Sequence, residues 1–251
     1  MCIRDRIRED EIREFFLLEN DIVNLRIALK SKAGGVERKR IAKSPEALVS
    51  FDRIRHRIEE EKYFLLPPVF SECCRAIMRL EKPTPESIDR KIDELFWGWA
   101  FNVSSGFASF HSYVKLRIDL INIKRLIEHR FLEGKDLFLR GGNIDIRVFA
   151  DALVQSVNLK EYFRKINFFN YFSIHNEYDF TPAGIGGLDK FIDDSLTAFW
   201  KRVKYEPFGF HTVCGYAHAK ATELKNVNFL IAGKKSLISA DELKANLRMT
   251  Y

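Results

Sequence analysis

The chain has 251 residues, of which 46% are hydrophobic and 30% are charged, with only 13 glycines and 7 prolines. This composition is typical of a globular protein with apolar mass for one large or several small cores, and it excludes an intrinsically disordered chain. The net charge of +6 is the small remainder of 41 basic and 35 acidic residues, so by itself it gives weak support for a nucleic-acid partner.

The first predicted helix contains a phrase that the chain repeats twice. It reads "DIVNLRIALK" from Asp21, "DLINIKRLIEHR" from Asp119 and "ELKNVNFLIAGK" from Glu223. Shifts of 98 and 104 residues superimpose the three copies. The residues before the first copy, "MCIRDRIREDEIREFF", are charged where a secretory signal would be apolar, so we expect no cleavable leader.

Each copy places four positions on one helical stripe, because residues at i, i+4, i+7 and i+11 share a face. We expect each stripe to face the core. The stripes are Leu18, Ile22, Leu25 and Leu29 in the first copy, Leu116, Leu120, Ile123 and Ile127 in the second, and Lys220, Leu224, Val227 and Ile231 in the third.

A carboxylate lies beside each stripe, and an asparagine follows it three residues later. The pairs are Asp21 and Asn24, Asp119 and Asn122, and Glu223 and Asn226. They sit about 70° and about 130° from the stripe centre, on a flank that we expect a second helix to cover. Two interpretations remain open: the pairs line a cavity that holds a threaded partner, or they hydrogen-bond a neighbouring helix and fix its register.

A shorter acidic helix precedes the second and third copies. "SIDRKIDELF" from Ser87 matches "GLDKFIDDSL" from Gly187 at a shift of 100, which pairs Asp89 with Asp189. Each unit is therefore predicted to be a helical hairpin. The first-copy counterpart would fall before residue 1, so we expect a first unit truncated at its front, the alternative being a native short unit. A truncated unit would leave the first stripe uncovered.

The remaining segments also predict helices. The 19 uncharged residues from Phe96 to Val114 read as a helix end, a turn and a helix start, because Gly98 and the "SSG" at 104–106 interrupt a membrane span. Short helices are expected after glycine breaks, in "SPEALVSF", "DIRVFADAL" and "SADELKANL", with N-cap signals at Ser44 and Ser239. Residues 51–64, 69–80 and 159–172 are predicted helical, and no segment alternates as a strand does, so the fold class is all-α.

Motifs that carry chemistry are absent from the sequence. No phosphate-binding loop, HExxH, GxSxG or GxGxxG occurs. Neither the four cysteines nor the six histidines have metal-ligand spacing, and the Glu-x-x-His pairs of a diiron bundle are missing. We therefore predict no catalytic residue, cofactor or metal, and a reducing cytoplasm.

Three phrases together resemble a known family. They are "IDLINIKRLI", "GYAHAKATELKNVNFLIAGK" and "ISADELKANLR". They are similar to the C subunit of the V/A-type ATPases, the prokaryotic relative of the eukaryotic d subunit, in which three homologous helical domains repeat an Ile-Asp-x-x-Asn-Ile helix. The last family copy carries Tyr-x-x-x-Lys-x-x-Glu-x-x-Asn, which is matched here by Tyr216, Lys220, Glu223 and Asn226.

The resemblance implies a non-catalytic rotor adaptor, shaped as a pseudo-threefold funnel. It implies one copy per complex on the cytoplasmic face of the membrane, between the central-stalk axle and the proteolipid ring, without membrane insertion or nucleic acid. Either a proton or a sodium ion fits as the coupled ion. The domains would be residues 1–68 with the truncated first unit and a linker, residues 69–178, and residues 179–251.

Basic residues after each repeat helix form a possible docking rim. They are Lys32, Arg38, Lys39, Arg40 and Lys43 after the first copy, Lys135 and Arg140 after the second, and Lys234 and Lys235 after the third. Solvated loop lysines are the alternative reading. The rival function is a helical nucleic-acid-binding or scaffold module, suggested by the pI near 9.1, and an aromatic-lined basic groove would favour it.

Overall fold

A computed structural model of the chain describes residues 3–34, 48–128, 137–154, 185–203 and 211–250. Nine α-helices and one 3-10 turn occupy these ranges, which contain no strand, and this confirms the all-α prediction. Within the same ranges, no helix combines the length and the apolar character needed to cross a bilayer. The predicted helix at 159–172 and the N-cap at Ser44 lie outside the described residues.

The chain divides into two compact units, and the division falls inside one helix. The first unit comprises Met1–Val114 and Leu139–Gly141, and the second comprises Lys115–Phe138 and Gly142–Tyr251. The three predicted domains and their pseudo-threefold arrangement stay a prediction.

The described part of the first unit is built from four helices and the start of a fifth. In chain order they are α1 (Ile3–Gly34), α2 (Phe51–Glu59), a 3-10 turn (Tyr63–Leu65), α3 (Pro68–Met78), α4 (Pro85–Ser104) and α5 (Ala108–Glu128). Helix α1 contacts α2 and α4, and α3 also packs on α4. Phe15 of α1 is the centre of an aromatic cluster, with ring centroids 5.7 Å from Phe96 and 5.1 Å from Phe110. This cluster buries the apolar faces of α1, α4 and the start of α5 against one another.

In the described ranges, the second unit contains the rest of α5 and four further helices. These are α6 (Ile146–Val154), α7 (Ile185–Val203), α8 (His211–Lys235) and α9 (Ala240–Asn246). Helix α7 contacts both α8 and α9. The short helices predicted after the glycine breaks at 141–142 and 233 are present as α6 and α9.

Local sequence signals set several helix boundaries. Thr84 and Ser87 form a capping box at the start of α4, followed by Pro85 at the first helical position. The Ser239 hydroxyl accepts a hydrogen bond from the backbone N–H of Glu242 at 3.3 Å, which confirms the predicted N-cap of α9. The uncharged stretch at 96–114 breaks between α4 and α5, as predicted.

The prediction that the first repeat helix leaves apolar surface uncovered is wrong. Leu18, Leu25 and Leu29 are fully buried and Ile22 is only 7% exposed, because α2 and α4 both pack on α1. Helix α2 and the acidic helix α4 of the following copy thus cover the stripe that was expected to lack a partner.

The third repeat helix contradicts the prediction that every stripe faces the core. Leu224, Val227 and Ile231 are 61%, 50% and 49% exposed, whereas their second-copy equivalents Leu120 and Ile123 are buried. The buried face of α8 instead carries Ala219, Thr222 and Asn226. Helix α8 therefore packs through its asparagine flank and leaves its apolar stripe open.

Candidate functional site: the carboxylate and asparagine positions of the repeat

Asp21 in α1 binds the backbone of the segment that returns to α2. Its carboxylate is fully buried, and Oδ2 accepts a hydrogen bond from the N–H of Val49 at 2.8 Å. Burial raises the pKa of Asp21 above its ordinary value, although the N–H groups of Leu48 and Val49 act in the opposite direction. We call this carboxylate-to-backbone contact the latch of the repeat.

Asp119 in α5 makes the same latch in the second copy. Its Oδ2 accepts from the backbone N–H of Asn143 at 3.0 Å and from the side-chain amide of Asn143 at 3.2 Å, while Oδ1 accepts from the N–H of Ile144 at 3.2 Å. A Cβ at Gly142 would lie 2.0 Å from Oδ1 of Asp119. Glycine is required here because any side chain would displace the carboxylate.

The third copy uses its asparagine in place of its carboxylate. Glu223 is half exposed and pairs with Lys220 at 2.8 Å on the same helix. Asn226 is buried, and its amide both donates to the carbonyl of Arg248 and accepts from the N–H of Arg248, each at 3.0 Å. The tail after α9 is therefore bound at the corresponding place by a different side chain.

Two acidic residues of α7 also bind the segment that follows α9. Asp194 accepts from the N–H of Met249 at 2.6 Å, and Asp193 pairs with Lys225 at 2.7 Å and with the guanidinium of Arg248. Burial raises the pKa of Asp193, but the two cations outweigh it and hold the pKa below its ordinary value. Asp193 is thus a structural anion.

Ion pairs join each earlier repeat helix to the acidic helix of the following copy. Arg26 of α1 contacts both Asp89 and Asp93 of α4, and Lys30 reaches Asp89 at 2.5 Å. Lys124 of α5 binds Asp189 of α7 at 3.1 Å. Arg26 and Lys124 are equivalent at the 98-residue shift, so the two copies make the same kind of contact.

The family-motif residues separate into buried and exposed groups. Asn24 and Asn122 are buried like Asp21 and Asp119, whereas Tyr216, Lys220 and Glu223 are exposed on α8. Arg26, Lys124 and Arg248 were not identified from the sequence. Arg26 and Lys124 could have been found, because they are basic residues at equivalent repeat positions, 98 residues apart. Arg248 has no such signal, because Asn226 binds its backbone N–H and carbonyl, and its guanidinium pairs with a carboxylate of another helix.

The possible docking rim is only partly described. Lys32 donates to the carbonyl of Ile58 at 2.8 Å, at the end of α2, so its ammonium is engaged within its own unit. Arg140, Lys234 and Lys235 are exposed. The other members, Arg38, Lys39, Arg40, Lys43 and Lys135, lie outside the described residues, and the rim stays a prediction.

The thiols and acids of the described ranges show no reactive arrangement. Burial raises the pKa of Cys73, Cys74 and Cys214 to about 12, which keeps these thiols protonated at neutral pH. No three His, Cys, Asp or Glu side chains converge as metal ligands in the part of the chain that the structure describes. The polar groups described above bind backbone and neighbouring side chains.

Comparison with known proteins gives the family. The family model for the ATP synthase (C/AC39) subunit matches residues 3–246. The chain belongs to the ATP synthase C/AC39 subunit family. Within a 64-residue segment it is 33% identical to the C subunit of the V-type sodium ATPase of Enterococcus hirae, and that segment covers 26% of this chain. The chain matches only 20% of the length of that relative.

The latches fall within the region that the C/AC39 model matches. This C/AC39 chain therefore combines a repeat visible in its sequence with buried polar contacts that hold each returning segment to its repeat helix.

Proposed function

We propose that the chain is a non-catalytic rotor adaptor of a V/A-type ATPase, coupling the central axle to the membrane proteolipid ring during ion transport. The observation that carries the proposal is the family match, which extends over residues 3–246. The partners are the central-stalk axle subunits and the proteolipid ring of the same ATPase. One copy works at the cytoplasmic face, without inserting into the membrane.

The described packing supports a role in transmitting torque. A coupler must resist bending between its two docking surfaces, and buried carboxylates that bind backbone N–H groups hold a connecting segment against its helix. Asp21 and Asp119 provide such contacts in two copies, and Asn226 provides one in the third. Catalysis of ATP hydrolysis belongs to other subunits in this proposal.

A bridging experiment tests the adaptor role. The detergent-solubilised proteolipid ring is immobilised, and the axle subunits are applied with and without the purified chain. The axle should be retained on the ring only when the chain is present, and an unrelated helical protein of similar pI should not replace it. Failure to retain the axle would contradict the proposal, and saturable binding of a single-stranded RNA probe would favour the rival nucleic-acid module.

A further inference from the structure

Helix α8 carries an open apolar stripe that no described residue covers. We define the α8 stripe as Val213, Tyr216, Leu224, Val227 and Ile231, which are between 49% and 69% exposed. From Val213 to Ile231 the stripe runs along about 27 Å of one helix. An apolar surface of this length on a single face marks a contact site more often than a solvated surface.

The stripe lies opposite the face that α8 uses inside its own unit. Helix α8 meets α7 through the His218–Thr197 hydrogen bond of 3.0 Å and through the Lys225–Asp193 ion pair. Val227 follows His218 by nine residues, which at 100° per residue places the two half a turn apart. Helix α7 therefore packs on the opposite side of α8 and does not cover the stripe.

The internal repeat indicates what belongs on such a stripe. The repeat helix of the first copy, α1, is covered by the acidic helix α4 of the second copy, whose Asp89 and Asp93 pair with Arg26. The repeat helix of the second copy, α5, meets the acidic helix α7 of the third copy through Asp189 and Lys124. Helices α4 and α7 fill this position on α1 and α5, and among the described elements the extensive contact of α8 is with α7, on the face opposite the stripe.

The charges around the stripe are complementary to an acidic helix. Lys220 lies within it, and Lys234 and Lys235 are exposed at its C-terminal end. Lys220 pairs with Glu223, and its ammonium also lies 5.7 Å from the centre of the Tyr216 ring. Lys220 and Glu223 are both about half exposed, so this local pair is weak enough to exchange. A helix with carboxylates beside its apolar face would bury the stripe and pair with these ammonium groups.

We propose that the α8 stripe is a docking surface for an amphipathic helix of another polypeptide, whose apolar face is flanked by carboxylates as in α4 and α7. The helix lies along Val213 to Ile231 with its carboxylates toward Lys220, Lys234 and Lys235. This proposal goes beyond the rotor role and rests on the internal repeat. The result of the bridging experiment therefore neither supports nor contradicts it.

A labelled-chain titration tests the proposal. An environment-sensitive fluorophore is attached to the full chain carrying Leu224→Cys, in a Cys2→Ser background. Cys73, Cys74 and Cys214 have pKa values of about 12 and react slowly with the reagent at neutral pH. The probe is a synthetic peptide of residues 84–104, and the matched peptide carries Asp89→Lys and Asp93→Lys.

The expected result is a saturable blue shift of the fluorophore emission with the acidic peptide. The matched peptide should bind at least about tenfold more weakly, because it has lost the close charge pairs. Val227→Lys with Ile231→Lys should abolish the shift while circular dichroism stays unchanged. A fluorophore at Val23→Cys, on exposed Val23 of α1, should not respond.

Three results would overturn the proposal. The first is binding that the Val227→Lys and Ile231→Lys changes leave intact. The second is a fluorophore at Leu224→Cys that is already shielded in the monomeric chain. The third is sedimentation as a dimer that the two lysine changes dissociate, because the occupant would then be a second copy of this chain.

Discussion

A buried carboxylate at the same repeat position serves one purpose in two copies. Asp21 and Asp119 each accept backbone N–H groups from the segment that returns after their helix. The repeat made these residues visible in the sequence, but their partners were not predictable, since a backbone donor leaves no side-chain signature. The sequence left open a cavity that holds a threaded partner or a hydrogen bond to a neighbouring helix, whereas Asp21 and Asp119 bind backbone N–H groups in non-helical segments.

Replacing Gly142 with alanine should destabilise the second unit. The new Cβ would meet Oδ1 of Asp119, so the carboxylate must leave its backbone donors. Losing the hydrogen bonds of a buried carboxyl group costs about 2 kcal/mol of unfolding free energy, measurable by urea denaturation. Gly98→Ala is the matched control, because nothing lies within 4 Å of a Cβ there. That control should gain about 0.5–1 kcal/mol of helix propensity. Equal stability of the two variants would contradict the latch.

Replacing His218 with glutamine should change how stability depends on pH. Burial, followed by the nearby Lys225, lowers the pKa of His218 to about 4 from 6.5. Below pH 6.5 His218 therefore becomes protonated in the unfolded chain but stays neutral in the folded chain. The unfolding free energy consequently falls as the pH falls from 6.5 toward 4. Between pH 6.5 and 5 this loss is about 1.5 kcal/mol.

His218→Gln keeps a group that can hydrogen-bond Thr197 and removes the titration. Urea unfolding at both pH values should show the loss in the natural chain and a correspondingly smaller one in the variant. Parallel pH profiles for the two proteins would show that His218 is not the titrating group.

At the scale of helices, local signals predicted boundaries better than they predicted burial. The predicted cap at Ser239 and the predicted break between α4 and α5 are both confirmed, because each depends on side-chain and backbone chemistry within a few residues. The stripes of α5 and α8 have nearly the same periodicity, yet only the first is covered. Periodicity reports which residues share a face, and whether a partner helix reaches that face depends on tertiary structure.

A matched pair of substitutions in one unit measures this difference. Leu120 and Leu224 occupy equivalent positions at the 104-residue shift, but Leu120 is 1% exposed and Leu224 is 61% exposed. Leu120→Ala should cost about 3 kcal/mol through lost burial and the cavity left behind. Leu224→Ala should cost less than about 0.5 kcal/mol. Comparable losses in urea denaturation would mean that α8 is packed through its stripe in the isolated chain.

At the scale of the whole molecule, the basic excess should act on association more than on folding. Lys234 and Lys235 are exposed at the end of α8, where charges steer a partner over a Debye length of about 8 Å at physiological salt. Changing both to glutamate should slow association with the ring or axle mainly at low salt. Arg79→Glu with Lys82→Glu, at exposed positions around the α3–α4 turn, gives the same change in net charge as a control. Equal association rates for the two double variants would remove Lys234 and Lys235 from the interface.

We propose that this C/AC39 chain couples rotation to ion transport, and ATP-driven transport tests this proposal most directly. Membranes are prepared from cells whose V/A-type ATPase lacks its own C/AC39 subunit, and ion uptake is measured before and after the purified chain is added. We predict that ATP hydrolysis without transport becomes ATP-driven ion uptake, while the chain alone hydrolyses no ATP. A chain that joins the ATPase complex and leaves ion uptake at its background level would contradict the account.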